Sequence, residues 1–214
     1  MKDNSLEITK YIQIAKKNHK EGKIYQANEI YKNLINQKIY SHDLLISYGL
    51  FCKEINNLKI AKNLFFLSIK KYPLKINSYI LLAEILRKEN NINDALKTLH
   101  AAKKIEKFNS EIDYNISILF KSIQSFKEAI LSIDSAINQK PDNQKYQILK
   151  ADILIELAKN EDAKELLLNL KLPNESILFF QRQILFSKIF INQMEFGLAE
   201  KVLLDLRKSF SKER

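Results

Sequence analysis

His42–Lys75 reads HDLLISYGLFCKEINNLKIAKNLFFLSIKKYPLK, and its spacing of small and apolar residues recurs along nearly the whole chain. Leu45, Tyr48, Gly49 and Cys52 fall at i, i+3, i+4 and i+7, one stripe of a helix expected from about Asp43 to Ile55. Asn56 and Asn57 tolerate the backbone of a helix stop. A second stripe then runs through Leu58, Ala61, Phe65, Ser68 and Ile69, and Pro73 closes the unit.

Outward from this stretch, Ala27, Ala61, Ala95, Ala129 and Ala163 repeat every 34 residues, with Ala199 following after 36. A second ladder of small residues keeps step: Ala15, Gly49, Ala83, Ser117, Ala151 and Ser187. Two helices folded into a hairpin approach closely only where the facing side chains are small and large neighbours fill the surrounding space. The large partners recur as Tyr31, Phe65, Leu99, Ile133, Leu167 and Leu203.

A 34-residue period with alanine in the twentieth place and a large apolar residue in the twenty-fourth resembles the tetratricopeptide repeat, a helix-turn-helix module. Pro73 and Pro141 stand where that family often has proline. In this register six units are expected: 8–41, 42–75, 76–109, 110–143, 144–177 and 180–213, with 1–7 as a leader or cap. The resemblance implies an all-α, right-handed superhelical solenoid of antiparallel helix hairpins, one domain over 8–213. The family's tryptophan is replaced by Tyr11, Leu45, Tyr79, Asp113, Gln147 and Gln183, and Lys150 occupies a place that is apolar in the other units. Looser packing is expected in the fourth and fifth units. Pro173 forbids a continuous helix around the two-residue insertion at 172–176, and the apolar run Ile177–Phe180 with Ile184, Leu185, Phe186, Ile189 and Phe190 is to be buried by a neighbour or left for a partner. Residues 209–214 are too few for an extra solvating helix, so self-association through the sixth unit is one expectation.

Composition agrees with helices joined by short turns. The 214 residues are 46% hydrophobic and 28% charged, with three Gly and three Pro. No run is long and apolar enough to span a bilayer, and MKDNSLEITKY has no apolar core for a secretory signal. One cysteine, Cys52, excludes an internal disulfide and suits a reducing compartment. A cytoplasmic location is expected. The net charge of +10 is uneven: residues 1–109 carry 20 Lys and Arg against 10 Asp and Glu, whereas 110–214 carry 15 of each.

In proteins resembling this one the first helix of each unit lines a concave groove that holds a peptide. The fifth, ninth and twelfth places share a face roughly opposite the packing stripe. The fifth places are Ile12, Ile46, Ile80, Tyr114, Ile148 and Ile184, an apolar strip; the twelfth are His19, Lys53, Arg87, Lys121, Ile155 and Ile191. Lys16, Lys20 and Lys88 extend this basic ladder, Glu54 and Glu84 interrupt it, and Asp152 and Glu156 give the fifth unit the opposite sign. Such a surface favours an acidic, partly apolar peptide. A carboxylate clamp of the kind known in this family is not expected, because its Lys and Asn places hold Ile12 and Lys16.

Catalysis is not indicated. His19, His42 and His100 are far apart, Cys52 sits on a packing stripe, and Gly22, Gly49 and Gly197 are isolated, so no metal, cofactor or phosphate loop is expected. Although the isoelectric point is near 9.4, isoleucines stand where helical RNA readers place polar selectors, which counts against nucleic acid. The function expected is a non-catalytic protein-interaction module or scaffold. The alternatives are the binding component of a glycosyltransferase or sulfotransferase system, which the resemblance implies, and a homo-oligomeric scaffold.

Overall fold

The computed structural model describes residues 2–174 and 176–211. Among them are twelve helices and no strand: α1 Lys2–Lys20, α2 Ile24–Asn36, α3 His42–Glu54, α4 Leu58–Lys71, α5 Ile76–Lys88, α6 Ile92–Ile105, α7 Ser110–Ser122, α8 Phe126–Gln139, α9 Gln144–Glu156, α10 Asn160–Leu168, α11 Ile177–Asn192 and α12 Phe196–Ser211. They pair as six antiparallel hairpins, α1 with α2 through α11 with α12. Residues 2–7, expected as a leader, are the first turns of α1. The chain divides into two compact units, Met1–Glu106 and Lys107–Arg214, each with three hairpins.

Both small-residue ladders lie at the hairpin contacts. Ala27, Ala61, Ala95, Ala129 and Ala163 are fully buried and Ala199 nearly so; Ala15, Ala83, Ser117, Ala151 and Ser187 are buried as well. A Cβ added at Gly49 would fall less than 3 Å from three carbons of the Phe65 ring. Only a hydrogen fits there, so the twenty-fourth-place aromatic and the eighth-place glycine define each other.

Each hairpin turns in the same way. The fifteenth residue of every unit is left-handed: Gly22 (φ 74°), Asn56 (60°), Asn90 (58°), Gln124 (60°), Ala158 (59°) and Met194 (61°). The next N–H donates back to the carbonyl five residues earlier, as in Lys23 to Asn18 at 2.8 Å, Asn57 to Cys52 at 2.7 Å and Lys159 to Leu154 at 2.9 Å. This Schellman pattern satisfies carbonyls that the helix end leaves open. Side-chain caps then start several helices: Ser41 accepts from the Leu44 N–H, Asn57 from Ile60, Asn109 from Glu111 and Ile112, and Ser176 from Phe179.

In the N-terminal unit the core is rich in aromatics. Tyr31 stacks on Tyr48, and Phe51 lies against both. Burial pushes the Tyr31 and Tyr48 hydroxyls up to about 12 and the Cys52 thiol up to about 11. Cys52 is therefore a core thiol that stays protonated near neutrality.

The C-terminal unit substitutes polar bonds for some of that packing. Asp113, 1% exposed in the place of the family's tryptophan, accepts hydrogen bonds from Ser135 Oγ at 2.7 Å and Gln139 Nε2 at 2.8 Å. On the same hairpin Ile112, Ala129, Ile133 and Ala136 have no exposed surface, so the fourth hairpin is closed where looser packing is expected from the sequence. Lys150 turns outward to an ion pair with Asp134 at 2.8 Å.

At the insertion, α10 stops at Leu168 after nine residues and α11 begins at Ile177, so Ile177, expected in the fifth unit, belongs to the sixth hairpin. Arg182 donates to the carbonyl of Leu170 at 3.1 Å across the shortened end. The apolar run divides: Leu185 and Ile189 are buried, whereas Ile177 is 77% and Ile184 46% exposed.

Candidate functional site

The odd-numbered helices, the first of each hairpin, carry the residues expected in a groove. The fifth-place strip does not form an open apolar floor. Ile12, Ile46, Ile80 and Ile148 are buried, Tyr114 is half-buried, and Ile184 is exposed. The reason is that a first helix packs on two sides, against its own hairpin partner and against the first helix of a neighbouring hairpin, as α1 does with α3, α7 with α9 and α9 with α11. Ile155, read on the same exposed face, is buried too.

Part of the basic ladder is paired with carboxylates of the following unit. Lys16 pairs with Asp43 at 3.3 Å and His19 with Glu54 at 3.3 Å; Lys53 pairs with Glu84, and Lys121 with Asp152 at 2.6 Å. Two of these pairs join a twelfth place to the ninth place of the next unit, a separation of 31 residues. Arg87 is exposed and makes no ion pair among the described residues; the corresponding ninth place holds Ile118. The recurring 31-residue offset between opposite charges is the signal that reading each helix alone misses.

Each unit has a concavity on this face. In the N-terminal unit a groove of about 550 Å³ runs between α1 and α3, with Lys16, His19, Ile46, Asp43 and Glu54 in its lining. Lys16 and His19 are joined to Asp43 and Glu54 there, Lys17 pairs with Glu21 at 3.8 Å, and Lys20 lines the groove as an exposed ammonium. The His19 ring also lies edge-on to Phe51, with centroids 4.9 Å apart.

In the C-terminal unit a cavity of about 410 Å³ lies against α7, α9 and α11. The three fifth-place residues Tyr114, Ile148 and Ile184 line it together, with Leu178, Asp152 and Lys188. Burial pushes the Asp152 carboxyl up, but hydrogen bonds and charges from Lys121 and Lys188 outweigh it, and its pKa ends below the ordinary value. The distances are 2.6 Å to Lys121 and 3.0 Å to Lys188. Lys145 completes the rim, its ammonium 4.5 Å from the centroid of the Tyr114 ring. Lys145 and Lys188, in the second place of the fifth unit and the ninth of the sixth, are site residues that the sequence reading did not single out.

Of the residues expected in a groove, Tyr114, Lys121, Ile148 and Asp152 are thus gathered in the C-terminal unit, and Lys16, His19 and Ile46 in the N-terminal unit. Lys53 is tied to Glu84, Ile80 is buried, and Arg87 stands apart. What the C-terminal arrangement offers is an apolar recess with charged groups at its edge, within the size range of ligand pockets. Among the described residues no three His, Cys, Asp or Glu side chains come together as a metal site, and no helix is long and apolar enough to cross a membrane.

No protein-family model and no curated protein matches the sequence. Solved structures do. The chain superposes on a tetratricopeptide repeat protein from Parabacteroides merdae with a TM-score of 0.80 and 17% identity, over 97% of this chain and 79% of that one. PilF from Pseudomonas aeruginosa gives 0.73 and 13% identity over 97% of each chain. TTC0263, a tetratricopeptide protein of Thermus thermophilus, gives 0.69 and 11% over 84% of this chain and 98% of that one. At these identities the likeness establishes the fold: the chain is an all-α array of tetratricopeptide-type helix hairpins.

Proposed function

We propose that this protein is a non-catalytic interaction module that takes a segment of another protein against the first-helix face of its C-terminal unit. The observation that carries the proposal is the cavity of about 410 Å³ in which Tyr114, Ile148 and Ile184 converge. Half-exposed apolar residues beside buried ones are the usual anchors of peptide recognition by helical grooves. A cytoplasmic setting suits the reduced, buried Cys52. The test is affinity capture from cell extract by the immobilised chain, with Ile184→Asp as the disabling variant and Lys127→Ala on the outer helix as control. A protein held by the native chain and the control, and released by Ile184→Asp, supports the reading. Equal retention by all three removes it.

A second reading, self-association through the sixth hairpin, is favoured by the exposure of Phe196 (63%), Leu203 and Leu204 on α12. Light scattering across a concentration series decides it: a rising mass that Phe196→Asp abolishes supports it, and a constant monomer mass excludes it.

A further inference from the structure

The cavity between α9 and α11 is not electrically neutral. Two ammonium groups, Lys145 and Lys188, and one carboxylate, Asp152, line it. Asp152 is already shared by Lys121 and Lys188, and Lys188 also lies 3.9 Å from Glu156. Lys145 differs from these. It is exposed and has no carboxylate within ion-pair distance among the described residues; the face of the Tyr114 ring holds it at the rim instead. A cation fixed by an aromatic face keeps its donors available to an incoming anion. The same cavity has an apolar wall that includes Ile148, Leu149, Ile184 and Leu185.

From this we infer that the C-terminal cavity selects a protein segment carrying one large apolar side chain and, within a few residues of it, a carboxylate that meets Lys145. The inference rests on the groove reading above and adds the chemistry of the occupant. It also moves the preference for acidic partners. Lys53 and Lys121 of the twelfth-place ladder have carboxylates of their own, whereas Lys145, the cation at this cavity that lacks one, stands in the second place of the fifth unit.

The apolar anchor supplies affinity through burial, and the charge pair supplies orientation and encounter rate. A basic segment would set its cation against Lys145 and be rejected.

The experiment is selection of random dodecapeptides displayed on phage by the full chain, followed by anisotropy titration of one synthetic winner. The selected sequences are expected to carry Leu, Ile, Met or Phe with Asp or Glu nearby. Lys145→Gln should weaken the winner about fivefold, and Lys145→Glu should shift the selection toward apolar residues accompanied by Lys or Arg. Both changes are at an exposed side chain, and unchanged circular dichroism would confirm that the variants fold.

Winners without acidic enrichment, or affinity indifferent to Lys145→Gln, overturn this inference alone, provided Ile184→Asp still abolishes binding. Winners that tolerate Ile184→Asp, or no enrichment at all, overturn both this inference and the groove reading.

Discussion

The two halves of the molecule solve the same packing problem with different materials. In the N-terminal unit the hairpins close around Tyr31, Phe51 and Phe65, and Lys16, His19 and Lys53 of the first-helix face pair with carboxylates. In the C-terminal unit a buried Asp113 with two donors replaces a ring, α10 is shortened, and several apolar residues stay uncovered on α11 and α12. What is common to both is the pair of small-residue ladders. What varies is the filling around them, and the open cavity with a cation lacking a carboxylate lies where the filling is irregular. The fold is thus carried by a few small side chains, which leaves the first-helix face free to differ.

The sharpest way to break this comparison uses the twenty-fourth place, where Phe65 is fully buried and Leu203 is 46% exposed. Phe65→Ala should cost about 3 to 5 kcal/mol of unfolding free energy in urea, through lost burial and the cavity left behind. Leu203→Ala, at the same place of the sixth hairpin, should cost less than about 1 kcal/mol. Similar losses at both places would show that α12 is packed as tightly as α4.

Glycine gives the next contrast. Gly49→Ala drives a methyl into Phe65 and should destabilise by about 1 to 3 kcal/mol despite alanine's better helix propensity. Gly197 has nothing within 4 Å of an added Cβ. There Gly197→Ala should be neutral or stabilising by up to about 1 kcal/mol. Thermal melts should show a lowered midpoint for Gly49→Ala and an unchanged or raised one for Gly197→Ala.

At the hairpin turns the units should be interchangeable. Ala158 adopts φ 59°, a strained conformation for an alanine, whereas Gly22 adopts φ 74° without cost. Ala158→Gly should therefore stabilise by about 0.5 to 1 kcal/mol and Gly22→Ala destabilise by about 1 kcal/mol. An unfavourable effect of Ala158→Gly would mean that the alanine side chain contributes more than its strain costs.

The smallest effect is the pH dependence that Asp152 gives the C-terminal unit. Asp152 has a folded pKa below its ordinary value of 3.8. Its contribution to stability is present above about that pH and is lost as the pH falls through the lower, folded value. Replacing Lys121 by Gln removes one of the two ammonium partners, raises the Asp152 pKa, and should move the acid limb of the stability curve to higher pH. Lys53→Gln in the N-terminal unit should leave the Asp152 titration, followed by carboxyl NMR, where it was.

How much of this the sequence discloses depends on whether a property is local. The alanine ladder, the Phe65 ladder and the limits of α3 are legible because one hairpin's own contacts impose them on every copy. The left-handed turn is legible at Gly22, Asn56 and Asn90 but not at Gln124, Ala158 and Met194, where the Schellman bonds hold residues that do not advertise the conformation. The first-helix face is hard to read from sequence for the opposite reason. A helical wheel places Ile46 and Lys53 opposite the intrahairpin stripe, yet neighbouring units bury the first and neutralise the second, and no single helix encodes that. Lys145 escapes the wheel as well, since its position depends on the Tyr114 ring, 31 residues earlier and in another hairpin.

The central claim is that partner recognition belongs to the first-helix face of the C-terminal unit. Hydrogen exchange followed by mass spectrometry, with and without a selected peptide, tests it most directly. Slowed exchange over α7, α9 and α11, with the N-terminal unit unaffected, is the result expected. Protection confined to α8 and α10, or to the groove between α1 and α3, would contradict it.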